Sequence, residues 1–267
     1  MNLENLLYKA VEASLEAGDA IMRIYSSDNF NEKLKEDNSP LTQADINSHN
    51  IIKDCLSDDG IMILSEEGKK IPFEERDKWD LFWLIDPLDG TKEFLKKNGE
   101  FTVNIALIKN QTPVMGVVYA PVLKKLYFSI IYNGAFLIEN VDYKTALKKN
   151  LYDMGIKLPV KNLLTKYTII ASRSHMTQET KEFIDKKKTQ HGEIDLVSIG
   201  SSLKLCLVAE GKANIYPRFA PTMEWDTGAG HAIVTGAGGK VINWKTQKEL
   251  IYNKKELLNP WFLVGME

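Results

Sequence analysis

Two aspartates three residues apart lie at the end of an apolar segment. Residues 81–94 read LFWLIDPLDGTKEF, in which Asp86 and Asp89 follow five apolar residues. Two carboxylates at the end of a buried strand repel each other and lose hydration, so something nearby should compensate their charge. Pro87 suits the second position of a type I turn, which would bring both carboxylates together with the Leu88 carbonyl. Such a set of oxygen ligands suits a hard divalent cation, above all Mg²⁺.

The residues that follow this pair could hold an anion beside the cation. Gly90 and Thr91 begin the predicted helix TKEFLKK, and the free N–H groups at a helix start can bind a phosphate. Thr91 is also a candidate N-cap, a role that its hydroxyl can combine with a catalytic one. The alternative interpretation makes Asp89 a helix cap and Asp86 an ordinary acid at a strand end.

Three further acids extend the set. Glu66 ends an apolar segment in LSEEG, Asp226 lies at a predicted helix start in EWDTGAGHA, and Asp45 follows Thr42 at the spacing of a capping box. Each of these acids alone is more often a cap or a solvated side chain than a ligand. With the aspartate pair, Glu66 and Asp226 form the set expected of a two-metal phosphoryl-transfer site. Asp45 is the spare carboxylate that could orient the attacking water through Thr91.

The surrounding pattern predicts an α+β half followed by an α/β half. The first half has helical periodicity from residue 3 to 22 and from 41 to 58, and strand-like segments at 102–121 and 124–138 that indicate an antiparallel sheet. Strands and helices alternate beyond residue 166. We predict two domains, residues 1–150 with most of the metal ligands and residues 151–267 with the nucleotide contacts and the last ligand.

Composition restricts the partners and the compartment. The chain has 267 residues, 44% of them hydrophobic, and a net charge of −2, so nothing indicates a surface for nucleic acid. Cys55 and Cys206 follow no metal-ligand spacing and are expected to be buried free thiols of a reducing compartment. The chain lacks a membrane-spanning segment and a signal-peptide pattern. We therefore expect a cytoplasmic protein, with attachment to the inner face of the membrane and a homodimer as open alternatives and no protein partner indicated.

Several longer segments carry a resemblance to a known family. They read SEE, WLIDPLDGTKEF, NGEFTVNIALI, ASRSH, IGSSLKLCLVAEG, YPRF and EWDTGAGHA. These segments resemble the inositol monophosphatase superfamily, and within it the bacterial 3′(2′),5′-bisphosphate nucleotidases. DPLDGT is specific to the superfamily, whereas GSSLK with YPRF indicates the nucleotidase branch. The resemblance implies an α/β fold, a layered αβαβα sandwich, with two or three Mg²⁺ ions.

The resemblance also implies roles for individual residues. It implies metal ligands at Glu66, Asp86, the Leu88 carbonyl, Asp89 and Asp226. It implies that the nucleophilic water is positioned by Asp45, Glu66 and Thr91. Substrate contacts would fall on Glu66, Leu88, Asp89, Gly90, Thr91, His175, Ser201, Lys204, Arg218 and Asp226. Without the resemblance, the three basic residues have ordinary interpretations: His175 as a surface histidine, Lys204 as a solvated lysine and Arg218 as a cation–π partner.

The implied activity is hydrolysis of the 3′-phosphate of adenosine 3′,5′-bisphosphate, and of its sulfated precursor, by a metal-activated water and with sensitivity to Li⁺. The first alternative is an inositol or sugar monophosphate as substrate. An aspartyl-phosphate mechanism is disfavoured, because it needs acids two residues apart and Asp86 and Asp89 are three apart. A non-catalytic protein that senses nucleotide or metal is also disfavoured, since it would be expected to lose an acid or Thr91.

Overall fold

The computed structural model of the protein describes residues 2–27, 30, 32–35, 40–143, 150–160, 164–171 and 176–266. Its N-terminal segment contains two helices and a small hairpin: α1 Leu3–Tyr25, β1 Lys33–Leu34, β2 Pro40–Leu41 and α2 Gln43–Leu56, with a 3₁₀ turn at Ser57–Asp59. The predicted capping box is confirmed, because Thr42 caps α2 and its backbone N–H donates to Asp45 Oδ2 at 2.7 Å. In the described parts of the chain, no helix has the length and apolarity needed to cross a membrane.

A seven-stranded sheet forms the centre of the first half. Its strands are β3 Met62–Ser65, β4 Leu81–Asp89, β5 Thr102–Lys109, β6 Thr112–Ala120, β7 Lys125–Ile130, β8 Gly134–Glu139 and β9 Ile156–Lys157. They lie in numerical order across the sheet. β3 and β4 pair in parallel, and all later neighbours pair antiparallel, as the turn-punctuated sequence predicts. Short helices in the connections are α3 Phe73–Arg76, α4 Thr91–Leu95 and α5 Leu151–Met154.

A five-stranded mixed sheet forms the second half. Its strands are β10 Tyr167–Ile170, β11 Ile194–Val197, β12 Ile215–Arg218, β13 Lys240–Asn243 and β14 Phe262–Gly265, in the order β11-β10-β12-β14-β13. β10 pairs in parallel with β11 and β12, whereas β14 is antiparallel to both of its neighbours. The helices of this half are α6 Gln178–His191, α7 Leu203–Glu210 and α8 Glu224–Gly236.

The two sheets and three helical layers stack as the predicted αβαβα sandwich. Helices α1 and α2 cover the outer face of the first sheet, around buried residues such as Leu7 and Trp83. Helices α7 and α8 lie between the two sheets, and α6 covers the outer face of the second. Close packing explains a glycine in α8, because a Cβ at Gly228 would lie 2.9 Å from Leu84 Cδ2.

The division of the chain at residue 150 stays a prediction. The first sheet includes β9, whose two residues pair with β8 and lie beyond that boundary. The crossing to the second sheet therefore falls between β9 and β10. This extra edge strand carries too short an apolar pattern to be recognised in a lysine-rich segment.

Candidate active site

The predicted turn at the aspartate pair is wrong, and a bulged strand takes its place. β4 continues through Asp86 to Asp89, and its pairing with β5 shifts register between these two residues. A bulge accepts a proline because one backbone N–H is unpaired there. The Pro87 carbonyl accepts a hydrogen bond from Ser48 Oγ at 2.6 Å, and the Leu88 N–H donates to Asp86 Oδ1 at 3.1 Å. The bulge still leaves Asp89 close enough to Asp86 to raise the pKa of Asp86.

Parallel pairing of β3 and β4 brings the next acid to the same edge. Ser65 lies opposite Ile85, and the Glu66 N–H donates to the Ile85 carbonyl at 3.1 Å. Glu66 therefore starts immediately beside the end of β4, next to Asp86. Asp226 reaches the same place from the first turn of α8, where its carboxylate accepts a hydrogen bond from the Met223 N–H at 2.9 Å.

These acids are poorly compensated by the protein itself. Asp86 is buried, and its pKa is raised well above the usual range by that burial, with Glu66, Asp89 and Asp226 adding to the effect. The pKa of Asp226, deep in the cleft, is likewise raised well above its usual range by lost hydration and by Asp89. Among the described residues, Lys35 alone forms an ion pair with one of the four, with Nζ 2.8 Å from Glu66 Oε1.

Lys35 also contacts Glu67, so one ammonium group bridges two glutamates. Burial lowers the pKa of Lys35, but the two carboxylates outweigh that effect and raise it overall. Burial raises the pKa of Glu66 as well, in spite of Lys35. One lysine is too little charge for this group of acids, which is the environment that favours binding of cations from solution.

The oxygen donors at this site are of the type that Mg²⁺ prefers. Carboxylate oxygens and one carbonyl are hard ligands, and Mg²⁺ keeps several waters and takes only a few protein ligands. Across the described residues, no three acid, histidine or cysteine side chains converge tightly enough to enclose an ion on their own. An ion held by these groups would take its remaining ligands from water and phosphate oxygens, as Mg²⁺ usually does.

A threonine and an aspartate lie beside these acids. Thr91 Oγ1 donates to Asp45 Oδ1 at 3.2 Å, while Asp45 Oδ2 accepts from Thr42 Oγ1 at 2.6 Å. Burial raises the pKa of Asp45, although these hydrogen bonds oppose the shift. The suggestion that Thr91 is an N-cap is wrong, because Gly90 takes that position with φ of 94°, a conformation that favours glycine.

A cleft of about 690 Å³ opens above the acids. Asp89 and Asp226 line its inner end, and residues of α4, α7 and β12 line its walls. Lys204 lies in this wall, where its Nζ donates to the Ser201 carbonyl at 3.1 Å and desolvation lowers its pKa. Arg218 Nη2 donates to the Pro221 carbonyl at 2.8 Å. The cleft therefore combines Asp89 and Asp226 with the cationic side chains of Lys204 and Arg218, while Lys92 and Glu93 of α4 and the following Lys96 also line it.

Comparison with known proteins identifies the family to which this chain belongs. The family model described as "Inositol monophosphatase family" matches residues 2–262. The chain belongs to the inositol monophosphatase family. It is 44% identical over 263 residues to the 3′(2′),5′-bisphosphate nucleotidase CysQ of Salmonella typhimurium, covering 97% of this chain and 99% of that protein. The corresponding protein of Escherichia coli K12 is 43% identical over 267 residues, covering 98% and 100%.

Solved structures of this family agree with the fold. The crystal structure of CysQ from Bacteroides thetaiotaomicron superposes with a TM-score of 0.89 at 45% identity, and the match covers 100% of both chains. The extragenic suppressor protein SuhB from Bartonella henselae superposes with a TM-score of 0.76 at 25% identity, covering 98% of this chain and 94% of that one. The predicted resemblance and the predicted fold are both confirmed.

Most predicted site residues of this inositol monophosphatase family member converge on the cleft and the acids beneath it. The residues lining the cleft are Asp89, Gly90, Ser201, Lys204, Arg218 and Asp226. Those at or beneath its inner end are Asp45, Glu66, Asp86, Leu88 and Thr91. His175 lies outside the described residues. The catalytic and ligand roles of all these residues stay predictions.

Sequence reasoning missed three polar residues at the family site. Lys35 compensates Glu66, and Asn104 and Ser202 form hydrogen bonds with each other and with Asp89. Ser202 is adjacent to the predicted Ser201, so the GSSLK motif pointed to the right segment. Lys35 lies in a charged segment and Asn104 in a strand of apolar residues, where no pattern in a single sequence distinguishes either residue.

Proposed function

We propose that this protein is a Mg²⁺-dependent phosphohydrolase that removes the 3′-phosphate of adenosine 3′,5′-bisphosphate to give AMP. The observation that carries the proposal is the juxtaposition of undercompensated acids with a cleft that also presents Lys204 and Arg218. The names of the CysQ relatives, 3′(2′),5′-bisphosphate nucleotidases at 43–44% identity, support the same substrate. The sulfated precursor is a second proposed substrate, because it carries the same 3′-phosphate.

The acids would hold the cations, and the cations would supply two kinds of chemistry. Glu66, Asp86, the Leu88 carbonyl, Asp89 and Asp226 are the proposed ligands. Bound there, Mg²⁺ lowers the pKa of a coordinated water and neutralises charge on the phosphate oxygens. No covalent intermediate is needed, since the water attacks phosphorus directly.

Thr91 and Asp45 would orient the attacking water. Thr91 Oγ1 lies 3.2 Å from Asp45 Oδ1 and 3.4 Å from the Leu88 carbonyl oxygen, the two acceptors for its single proton, so its lone pairs can accept a hydrogen bond from water. Asp45 is itself fixed, because both Thr42 donors bind its other oxygen. This chain of hydrogen bonds sets the direction in which the water oxygen presents its own lone pair.

Lys204 and Arg218, which line the cleft, would recognise the second phosphate. An inositol or sugar monophosphate has only the phosphate that is cleaved, and would not need these cations. Lys204 is desolvated, as the direction of its pKa shift indicates, and a buried cation gains from an anionic partner. A 5′-phosphate in the cleft would supply that partner.

Phosphate release from adenosine 3′,5′-bisphosphate, with Mg²⁺ and after its removal by chelator, tests the activity. We expect turnover only with Mg²⁺. Lys204→Ala then tests the substrate assignment. A charge-assisted hydrogen bond contributes roughly 1.5 to 3 kcal/mol, so kcat/KM for the bisphosphate should fall about tenfold to a hundredfold. For adenosine 3′-monophosphate, which lacks the 5′-phosphate, kcat/KM should change little.

Lys188→Ala is the matched control for this experiment, because Lys188 lies on α6, outside the cleft, and is exposed. It should leave both substrates unaffected. An equal loss on both substrates in Lys204→Ala would show that the lysine is structural. If the wild-type protein prefers inositol phosphate, the alternative function, an inositol or sugar monophosphatase, would replace the one proposed. Cytoplasmic location and a homodimer stay predictions.

A further inference from the structure

Ser202 places a buried hydroxyl between two acids of the site. Its Oγ lies 2.7 Å from Asp89 Oδ2 and 2.7 Å from the backbone oxygen of Asp226. The hydroxyl has one proton, which it can donate to either oxygen. Ser202 is only 2% exposed, so solvent has little access to these contacts. One side chain therefore connects the end of β4 with the start of α8.

Asn104 holds this hydroxyl from the opposite side. Its Nδ2 donates to Ser202 Oγ at 2.9 Å and lies 3.3 Å from Asp89 Oδ2. Asn104 is on β5, directly opposite Asp86 in the sheet register, and is 1% exposed. Because the amide occupies a lone pair of Ser202, the hydroxyl proton is directed towards Asp89 and Asp226. Among the described residues, none donates to the second oxygen of Asp89, Oδ1.

Ser202 lies at the N-cap of α7, but its side chain does not cap the helix. Ser202 is the N-cap of α7, where serine is favoured because its hydroxyl accepts from the backbone of the first turn. Here the hydroxyl makes no capping hydrogen bond. The preceding Ser201 has a φ of 50°, which is uncommon outside glycine. The helix start thus gives up a favourable cap to direct the hydroxyl at the acids, as functional sites often do.

We infer that Ser202, held by Asn104, is a positioning residue of the metal site. The inference rests on the proposed function, because it assumes that Asp89 and Asp226 bind Mg²⁺. Ser202 shares its single proton between Oδ2 of Asp89 and the backbone oxygen of Asp226, so that the acids from the first sheet and from α8 keep one spacing. Oδ1 of Asp89 is left for the cation. Residues that orient ligands in this way typically change metal affinity by about 10- to 100-fold when they are removed.

Calorimetric titration with Mg²⁺ alone, without substrate, tests the inference directly. Ser202→Ala should weaken Mg²⁺ binding by about 10- to 100-fold while the thermal midpoint of the chelator-treated protein falls no further than in the control. The control is Ser14→Ala in α1, which removes an equally buried hydroxyl that donates to a backbone carbonyl, at 2.8 Å from Val11 O. It should bind Mg²⁺ as wild type does.

Two further variants separate positioning from packing. Asn104→Ala should weaken Mg²⁺ binding less than Ser202→Ala. The double variant should be only slightly worse than Ser202→Ala, because Asn104 acts mainly through the Ser202 hydroxyl and its own contact with Asp89 is the longer one. Ser202→Thr keeps the hydroxyl and should recover part of the affinity. In activity assays, saturating Mg²⁺ should restore most of kcat to Ser202→Ala.

The outcomes distinguish this inference from the proposed function. If wild type binds no Mg²⁺, the proposed metal site fails and the inference fails with it. If wild type binds Mg²⁺ and Ser202→Ala binds it within twofold, the inference alone is overturned. Multiplicative losses in the double variant would also overturn it, since they would show two independent effects. Should Ser202→Ala not fold, the Asn104→Ala and Ser202→Thr titrations decide between the same results.

Discussion

Two kinds of buried carboxylate occur in this molecule, and their surroundings differ. Glu210, at the end of α7, accepts a hydrogen bond from Tyr127 OH at 2.7 Å and pairs with Lys212 and Lys125. Glu224 accepts the backbone N–H groups of residues 253 and 254 and pairs with the Lys254 ammonium. Each of these acids has its counter-charge within the fold.

Two acids of the cleft, Asp86 and Asp226, have no such complement among the described residues. Asp86 and Asp226 each accept one backbone N–H from the described residues, and neither forms an ion pair there. Burying a charge without a partner is costly, so a fold that keeps these groups is expected to gain a cation from solution. Burial alone therefore does not single out an acid, whereas burial without an internal partner makes it a candidate cation ligand.

The largest effect is expected when an acid of the cleft is neutralised. Asp86→Asn should lower kcat/KM by about a thousandfold or more, because a metal ligand contributes several kcal/mol to transition-state stabilisation. The chelator-treated variant should be as stable as wild type or more stable, since repulsion among the acids is relieved. Urea unfolding and phosphate release measure the two effects. Near-normal turnover would show that Asp86 is not a ligand.

The matched change in a paired acid should have the opposite result. Glu210→Gln keeps the shape and can still accept from Tyr127, but it loses the charge that pairs with Lys212 and Lys125. Because both lysines are partly exposed, we expect a loss of about 1 to 3 kcal/mol in the free energy of unfolding. The kcat in saturating Mg²⁺ should be unchanged. Lost activity at unchanged stability would place Glu210 in the functional class instead.

Lys35 is the cationic partner of Glu66, an acid of the cleft, so its removal tests whether a missing protein cation increases the effect of Mg²⁺. Lys35→Met leaves Glu66 and Glu67 without their cation, so the chelator-treated protein should lose about 1 kcal/mol of stability. Mg²⁺ should then raise the thermal midpoint more than it does in wild type, because the ion replaces the missing charge. Thermal unfolding with and without Mg²⁺ measures both effects. Lys53→Met, an exposed lysine on α2, is the control, and equal Mg²⁺ shifts in the two variants would refute this role.

Much of the fold was predictable from the sequence, because local patterns determined it. The periodicity of α1, the capping box at Thr42 and the antiparallel pairing of β5 to β8 all agree with the structure. β9 was missed because two exposed residues carry no periodic signal. The last strand, β14, was missed because four residues between irregular segments give little to distinguish them from a loop.

The site was predictable where chemistry and position coincide in one motif. The DPLDGT segment drew attention to acids that the structure does bring close to one another, although its backbone is a bulged strand and not a turn. Sheet pairing, which single-sequence patterns do not specify, decides that difference. Asn104 and Lys35 could not be found, since each gains its role from a partner far away in the chain.

A buried base shows the third way in which this fold treats an ionisable group. His231 in α8 is buried, and its Nδ1 lies 3.0 Å from Tyr252 OH, a neutral partner. Burial lowers the pKa of His231 to about 3, so the imidazole stays neutral at physiological pH. Asp86 and Asp226 have no cationic partner among the described residues and Glu210 has two, whereas His231 avoids charge by losing its proton.

This arrangement gives the smallest expected effect, a dependence of stability on pH. The unfolded histidine binds a proton below its ordinary pKa of about 6.5, whereas folded His231 does not bind one until pH falls to about 3. The histidine contribution to stability is therefore complete above pH 6.5 and is lost progressively as pH falls through that window. Between pH 7.5 and 6 the loss is about 0.8 kcal/mol. His231→Asn keeps a polar partner for Tyr252 and should remove this component from the pH profile of urea unfolding. The difference between the two profiles cancels the other titrating groups, so parallel profiles would show that His231 titrates in the folded protein as it does in the unfolded chain.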